Sequence, residues 1–301
     1  MRLGVLGHTG HATLHEALRR LGECAERLGA ELFVSDELGD VRGEGGRPLV
    51  EGGRLAESLD RLDLLLTLGG DGTFLRGARL AGPRDTPLLG VNLGQLGFIT
   101  AAPFDELEVA LERWSSGDYV EEKRLALDVE ILGFGDPDEA TGGLPARSEY
   151  ALNDAVVHKG GFARLIRMRV WVDREEIGQY SADGIVISTA TGSTAYSLSA
   201  GGPILVPSLD ALVATPICPH TLAIRPVVVP ADAPITVEIA SDTDGILLTV
   251  DGQPGGSLCR GDRVRVSRSP HPTRLVRFPE SNFFRVLRQK LRWGDVRPGG
   301  A

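Results

Sequence analysis

Cysteine is scarce in this 301-residue chain: Cys24, Cys218 and Cys259 are odd in number and far apart. They form neither a metal-ligand spacing nor a disulfide framework, which points to reduced thiols in a cytoplasmic protein. Long apolar runs are missing too. The longest, residues 62–68, is interrupted by Asp63 and is far too short to span a bilayer. The first seven residues lack the long apolar stretch of a signal peptide. Positive charge is in deficit, with 32 Lys and Arg against 41 Asp and Glu, net −9. That balance excludes broad attraction to nucleic acid or to an anionic membrane. The one local basic patch, Arg285, Arg288, Lys290 and Arg292, reads as a solvated helix face. Two phosphate-binding signatures are also absent. Gly4, Gly7 and Gly10 lie where a dinucleotide fingerprint would, with the wrong spacing, and there is no Walker A sequence. Any phosphate site must be of another type.

Glycine, by contrast, is abundant at 39 residues and gathers in short runs, as at Gly69-Gly70-Asp71-Gly72, Gly160-Gly161 and Gly201-Gly202. Around them the chain changes character once. The first third alternates strand and helix. Strands are expected at residues 2–6, 31–35, 62–68 and 87–91, and helices at 14–28, 73–81 and 104–114. Residues 42–53, rich in glycine and charge, read as a mobile loop. Such alternation implies a doubly wound parallel sheet. After about residue 120, short alternating runs at 126–132, 148–158, 165–172, 185–188, 226–229, 235–240, 246–250 and 263–266 are separated by turn signals such as Asp251-Gly252. That is the pattern of a β-sandwich. A helical interruption begins near Gly192, and residues 281–291 return to helix.

Three constellations carry chemistry. Thr67-Leu68-Gly69-Gly70-Asp71-Gly72-Thr73 follows the buried strand and opens a helix. Glycines there let main-chain N–H groups meet phosphate oxygens, and the helix start favours negative charge. Asp71 supplies one fixed carboxylate that can orient a hydroxyl, accept its proton or help hold magnesium; the plainer reading is a tight turn with Asp71 as helix cap. Second, residues 182–197 put six Ser and Thr into ten positions at a strand end. Capping needs one or two hydroxyls, so the cluster suggests contacts to ribose and phosphate oxygens. Third, Asn153-Asp154 stands at a strand start, where Asn153 can read an adenine edge or simply form an Asx turn.

With these motifs in this order, the sequence resembles the NAD kinase family. Supporting matches are Gly90-Val91-Asn92-Leu93-Gly94 through Phe98, Ser199-Ala200-Gly201-Gly202-Pro203, Val250-Asp251-Gly252-Gln253 and the tail from Phe283 to Gly294. The Gly-Gly-Asp-Gly-Thr motif alone is shared with diacylglycerol and sphingosine kinases, whereas the Thr-Gly-Ser-Thr-Ala-Tyr-Ser block is highly specific. Departures are Asp154, where glutamate is frequent, Ala190 in place of a common proline, and the segment Gly4–Gly10.

The resemblance implies an N-terminal doubly wound α/β domain (residues 1–120, with 279–301 packing back on it), a C-terminal NAD-binding β-sandwich (121–278), and a site between them. It implies transfer of the terminal phosphoryl group of ATP to the 2′-hydroxyl of the adenosine ribose of NAD, with Mg2+ on the donor. Asp71 would act on that hydroxyl, with Gly69, Gly70 and Thr73 on the donor phosphates. Asn153 and Asp154 would hold adenosine. Gly72, Phe98, Thr194, Ala195, Tyr196, Ser199 and Asp251 would line the dinucleotide pocket, with Asp183 near the nicotinamide end. Lys159 and Arg164 are additional candidates for phosphate. The implied assembly is a homo-oligomer, a dimer or tetramer, with no nucleic-acid or membrane partner. The rivals are a lipid kinase, which would want an apolar groove, and a non-catalytic nucleotide-binding regulator, which would not need Asp71.

Overall fold

The computed structural model describes residues 1–41, 52–94, 97–133, 147–161, 165–221, 223–242, 245–280 and 282–292. Most of the glycine-rich loop at 42–53, Arg164 and the tail Trp293-Gly294 lie outside the described residues. Gly53, assigned to that loop from sequence, instead begins a two-residue strand, Gly53–Arg54. The chain forms two compact units, residues 1–123 with 273–301, and residues 124–272.

In the first unit, Leu64–Leu68 is buried along its whole length, as its nearly unbroken apolar sequence requires of a parallel strand covered on both faces. Among the described residues the sheet runs in the order Gly53–Arg54, Glu31–Val34, Arg2–Gly7, Leu64–Leu68, Leu88–Asn92, Thr273–Arg277, Val120–Arg124, with Ala102–Pro103 also paired to Leu88–Asn92. From the central pair Arg2–Gly7 and Leu64–Leu68 the chain winds outward in opposite directions. The point of reversal lies at their carboxyl ends, where open α/β sheets bind ligands. Helix Leu14–Arg27 buries Leu14, Ala17, Leu18, Leu21, Cys24 and Ala25, the three- and four-residue spacing read from sequence. Helix Leu107–Ser116 covers the same core with Leu107, Ala110 and Leu111, and stops at Gly117, whose φ of 83° suits glycine. Strand Thr273–Arg277, missed from sequence, rejoins this sheet beside Leu88–Asn92 and leads to helix Phe283–Leu291, which buries Val286 and Leu287.

The second unit is a sandwich of two antiparallel sheets. One runs Val227–Pro230, Ala211–Ile217, Gly184–Thr189, Asp154–Lys159, Ile246–Val250, Gln253–Leu258; the other Glu175–Ala182, Ile166–Val172, Ile235–Ile239, Arg263–Arg268, Leu127–Leu132, Arg147–Ala151. Val129, Met168, Val170, Val237 and Val264 from one sheet share a core with Ala155, Val157, Ile185, Ile187, Leu248 and Val250 from the other. Sequence periodicity reads residues 148–158 as one strand. The structure breaks it at Leu152-Asn153, and Arg147–Ala151 and Asp154–Lys159 enter different sheets. The break is held by a long-range carboxylate, so no local pattern betrays it.

Because Leu66 is fully buried in the central strand of the first unit, Leu66→Ala is expected to cost about 2–5 kcal/mol. The loss would be read as an earlier urea midpoint for that unit.

Candidate functional site

In the first unit the reversal of winding places the glycine turn at the carboxyl end of Leu64–Leu68. His8, just past the neighbouring strand, donates its main-chain N–H to the Leu68 carbonyl at 3.0 Å, so both strand ends open side by side. Gly70 caps helix Asp71–Ala81 without a side-chain bond, and Asp71 is the first helical residue. Asp71 is therefore not the helix cap. Its Oδ2 instead accepts the Phe98 N–H at 3.0 Å from the loop after Leu88–Asn92. Its Oδ1 is buried and has no hydrogen-bond partner among the described residues.

The glycines of this corner divide by cause. A Cβ at Gly97 would collide with the Asp71 carboxylate, and one at Gly69 with the Thr73 side chain, so the protein's own packing demands glycine there. Gly70 and Gly72 have nothing within 4 Å of an added Cβ, and neither has a positive φ. Glycine inside a helix costs about 1 kcal/mol relative to alanine, yet Gly72 stands in the first turn with no protein atom requiring it. Open space at these two positions is what close approach of a ligand to the main chain needs. Thr73 is buried. Thr100 Oγ1 accepts the Gly97 N–H at 3.1 Å, and Arg277 Nη1 donates to the carbonyls of Ile99 and Thr100, which fixes the loop carrying Phe98.

In the second unit the Asp251 carboxylate accepts three successive main-chain N–H groups: Leu152 at 2.8 Å, Asn153 at 2.8 Å and Asp154 at 3.0 Å. The Asp251 N–H donates to the Asp154 carbonyl at 2.9 Å. Thr189 completes the enclosure: its Oγ1 donates to Leu152 O at 2.7 Å and its N–H to Asn153 O at 2.9 Å. A Cβ at Gly192 would strike that Asn153 carbonyl. Asn153 Oδ1 is buried with no partner among the described residues. Asp154 and Asp251 are 5% and 8% exposed. Burial first, and the charge of Asp251 second, push the Asp154 carboxyl from 3.8 up to about 7.

The hydroxyl-rich block corrects one expectation. Most of its hydroxyls serve the protein itself. Ser193 Oγ donates to Ala190 O at 2.7 Å and accepts the Leu205 N–H at 2.9 Å. Ser197 and Thr215 hydroxyls bond each other at 2.8 Å. Thr189 Oγ1 also accepts the Gly192 N–H, and Arg124 donates to Thr191. Ser188, Thr189, Ser193 and Ser197 are fully buried. The accessible members are those named from the resemblance: Thr194 and Ala195 are half-buried, Tyr196 is 46% exposed and Ser199 is exposed. Lys159, an additional candidate for phosphate, pairs with Asp183 at 2.7 Å, and its N–H donates to the Asp183 carbonyl.

Comparison with known proteins places this geometry. The profile of the ATP-NAD kinase N-terminal domain matches residues 50–119, and that of the ATP-NAD kinase C-terminal domain matches residues 152–278. The NAD kinase of Gemmatimonas aurantiaca is 47% identical over 297 residues, 98% of this chain and 97% of its own. That of Heliobacterium modesticaldum is 47% identical over 240 residues, 80% and 82% of the two chains. Among solved structures, yeast NADH kinase complexed with NADH has a TM-score of 0.84 at 28% identity, covering 98% of this chain and 88% of that one. An NAD kinase from Archaeoglobus fulgidus in complex with ATP has a TM-score of 0.71 at 26% identity, covering 97% and 99%.

The raised Asp154 pKa has a consequence for stability. Between pH 3.8 and about 7 the folded unit holds a proton there that the unfolded chain has released. Stability from this group is thus full below the unfolded value and lost as pH rises through the folded one. Asp154→Asn, neutral throughout, is expected to match wild type in stability near pH 4. It should exceed wild type by on the order of a few kcal/mol above pH 7. Urea denaturation across that range checks it, and parallel pH curves for the two proteins contradict the assignment.

Proposed function

The chain belongs to the NAD kinase family, and from that membership we propose that it moves the terminal phosphoryl group of ATP onto the 2′-hydroxyl of the adenosine ribose of NAD, giving NADP. The observation that carries the detailed reading is the bare Oδ1 of Asp71. A carboxylate is fixed at a glycine turn by one oxygen while the other is buried without a hydrogen-bond partner among the described residues, and that oxygen receives the incoming hydroxyl in the proposed reaction.

In this reading the ribose 2′-hydroxyl donates to Asp71 Oδ1. Its oxygen attacks the terminal phosphorus of ATP in line, ADP departs, and the hydroxyl proton passes to the carboxylate. Transfer of this kind asks the protein mainly for positioning and charge stabilisation. Asp71, held by Phe98, aims the nucleophile; Gly70 offers its main-chain N–H at a helix start to the donor phosphates, while Gly69, whose N–H donates to the Val91 carbonyl, and Thr73 behind it shape the turn that receives them. Gly72 and Phe98 belong to the acceptor side of the same corner.

The second unit, within residues 121–278, supplies NAD recognition. Asn153, with its unpartnered Oδ1, and Asp154 hold adenosine; Thr194, Ala195, Tyr196 and Ser199 offer the accessible edge of the block; Asp183, with Lys159 beside it, serves the nicotinamide end.

Magnesium fits this arrangement as an ion carried by the donor. Among the described residues no three His, Cys, Asp or Glu side chains gather to hold a metal, whereas Mg2+ commonly takes one or two carboxylates plus substrate phosphates. The open space at Gly70 and Gly72 leaves room for phosphates and ion beside Asp71. When bound, Mg2+ neutralises charge on the phosphates of ATP.

A cytoplasmic site of action is supported by three free cysteines, and no helix among the described residues is long and apolar enough to cross a membrane. Exposed Leu209 and Val228 on the second unit are apolar surface available for self-association as a dimer or tetramer.

The test is NADP formation from NAD, ATP and Mg2+, read with an NADP-specific dehydrogenase. Wild type is expected to turn over; no NADP would refute the reading. Gly97→Ala, which drives a methyl group into the Asp71 carboxylate, is expected to lower kcat roughly 10²-fold or more with an unchanged circular dichroism spectrum. A Gly97→Ala enzyme at wild-type rate contradicts the role given to Asp71.

A further inference from the structure

We propose that Asp251 is not a ligand of NAD but a positioning residue, whose carboxylate clasps the main chain of Leu152–Asp154 and so sets how Asn153 and Asp154 meet adenosine. The inference deepens the kinase reading and rests on it for the identity of the ligand.

Val250 pairs with Gln253 across a two-residue hairpin loop, and both loop residues have positive φ, Asp251 at 48° and Gly252 at 72°. That is a type I′ turn, for which Asp-Gly is a preferred pair because aspartate tolerates the left-handed region and glycine is indifferent to it. In this conformation the Asp251 side chain reaches a segment 97 to 99 residues earlier in the chain. Oδ1 accepts from Asn153 and Asp154, and Oδ2 from Leu152. Three consecutive N–H groups turned to one side form an anion-binding concavity. The chain fills it with its own carboxylate.

The carbonyls of the same segment are taken as well, by Thr189 at Leu152 and Asn153 and by the Asp251 N–H at Asp154. Main-chain donors and acceptors are thus both fixed, and the side chains of Asn153 and Asp154 are what this segment offers a ligand. A ligand role for Asp251 would draw its oxygens away from three N–H groups buried with it. A purely scaffolding turn would not need a charge there. Asp251 sits 8% exposed beside Asp154, a second carboxylate whose ionisation it opposes. That arrangement costs stability and earns its place by orienting the acceptor site.

The experiment uses the full chain with Asp251→Ala and Asp251→Asn, measuring NAD binding by titration, KM for NAD and for ATP, and kcat. Asp251→Ala releases all three main-chain N–H groups and is expected to weaken NAD binding and raise its KM roughly ten- to a hundred-fold, the equivalent of one or two charge-assisted bonds to adenosine, with KM for ATP within about two-fold. Asp251→Asn keeps the left-handed turn and one acceptor oxygen, and is expected to fall between. It also removes the like charge beside Asp154, so the inflection in NAD affinity against pH should move to lower pH, and the loss of NAD affinity with KM for ATP kept is what a merely structural role would not cause. If Asp251→Ala does not fold, Asp251→Asn decides by the same two readouts. NAD affinity within about two-fold of wild type in the folded variants overturns the proposal. So does an unmoved inflection in Asp251→Asn, or parallel loss of NAD and ATP affinity. Wild type that binds NAD without making NADP would refute the kinase reading alone, and NAD titration of the variants would still decide the role of Asp251.

Discussion

Backbone N–H groups that grip a buried carboxylate set the geometry of this protein. A carboxylate held by three main-chain donors cannot swing away without leaving those donors unpaired in a dry interior, at a cost of about 1–3 kcal/mol each. In the second unit the Asp251 clasp fixes the point where the chain leaves one sheet of the sandwich and enters the other. Asn153 and Asp154 stand at that point because the chain changes layers there. The first unit uses a lighter form of the same device, a single N–H from Phe98 on Asp71, and leaves the second oxygen bare. The difference matches the tasks proposed for them. One carboxylate has every oxygen occupied by main-chain donors, and the other has an oxygen with no partner among the described residues.

The surrounding charges carry little of the stability. Most ion pairs, such as Arg54 with Asp36 and Arg260 with Asp242, are solvent-exposed and contribute only tenths of a kcal/mol. Better placed are Arg20 with Glu108, a two-pronged contact between helices Leu14–Arg27 and Leu107–Ser116 with Arg20 also over the Phe104 ring, and Arg274 with Glu121 in the sheet of the first unit. The cores themselves are aliphatic: leucine across the parallel sheet, valine and isoleucine inside the sandwich.

Local signals in the sequence go far. The alternation of strand and helix, the buried run ending at Leu68, the turn at Gly69–Gly72 and the Asp251-Gly252 hairpin all follow from patterns within a few residues. Much of what escapes is set at long range or spent on polar edges, although two buried strands, Ala211–Ile217 and Thr273–Arg277, are missed as well. Glu175–Ala182 is an edge strand with half of its residues exposed, and Gln253–Leu258 contains Pro254 and two glycines, so neither carries a strand pattern. The break at Leu152-Asn153 depends on a carboxylate 98 residues from Asn153. The hydroxyl cluster was legible as a special site, but its chemistry was not. Composition cannot distinguish a hydroxyl that meets a ligand from one that ties down the loop presenting it, and here the second kind predominates. The glycines divide in the same way, since only coordinates separate Gly97, excluded by Asp71, from Gly70, which faces open space.

The role proposed for Asp71 is to act on the acceptor hydroxyl during transfer, with neither the fold nor NAD binding depending on its charge. Single-turnover NADP formation by Asp71→Asn, with NAD affinity titrated on the same preparation, tests it most directly. NAD affinity is expected to stay within about two-fold of wild type and the transfer rate to fall by roughly 10²–10⁴. Transfer at near the wild-type rate, or a rate lost only in proportion to lost NAD affinity, would contradict that role.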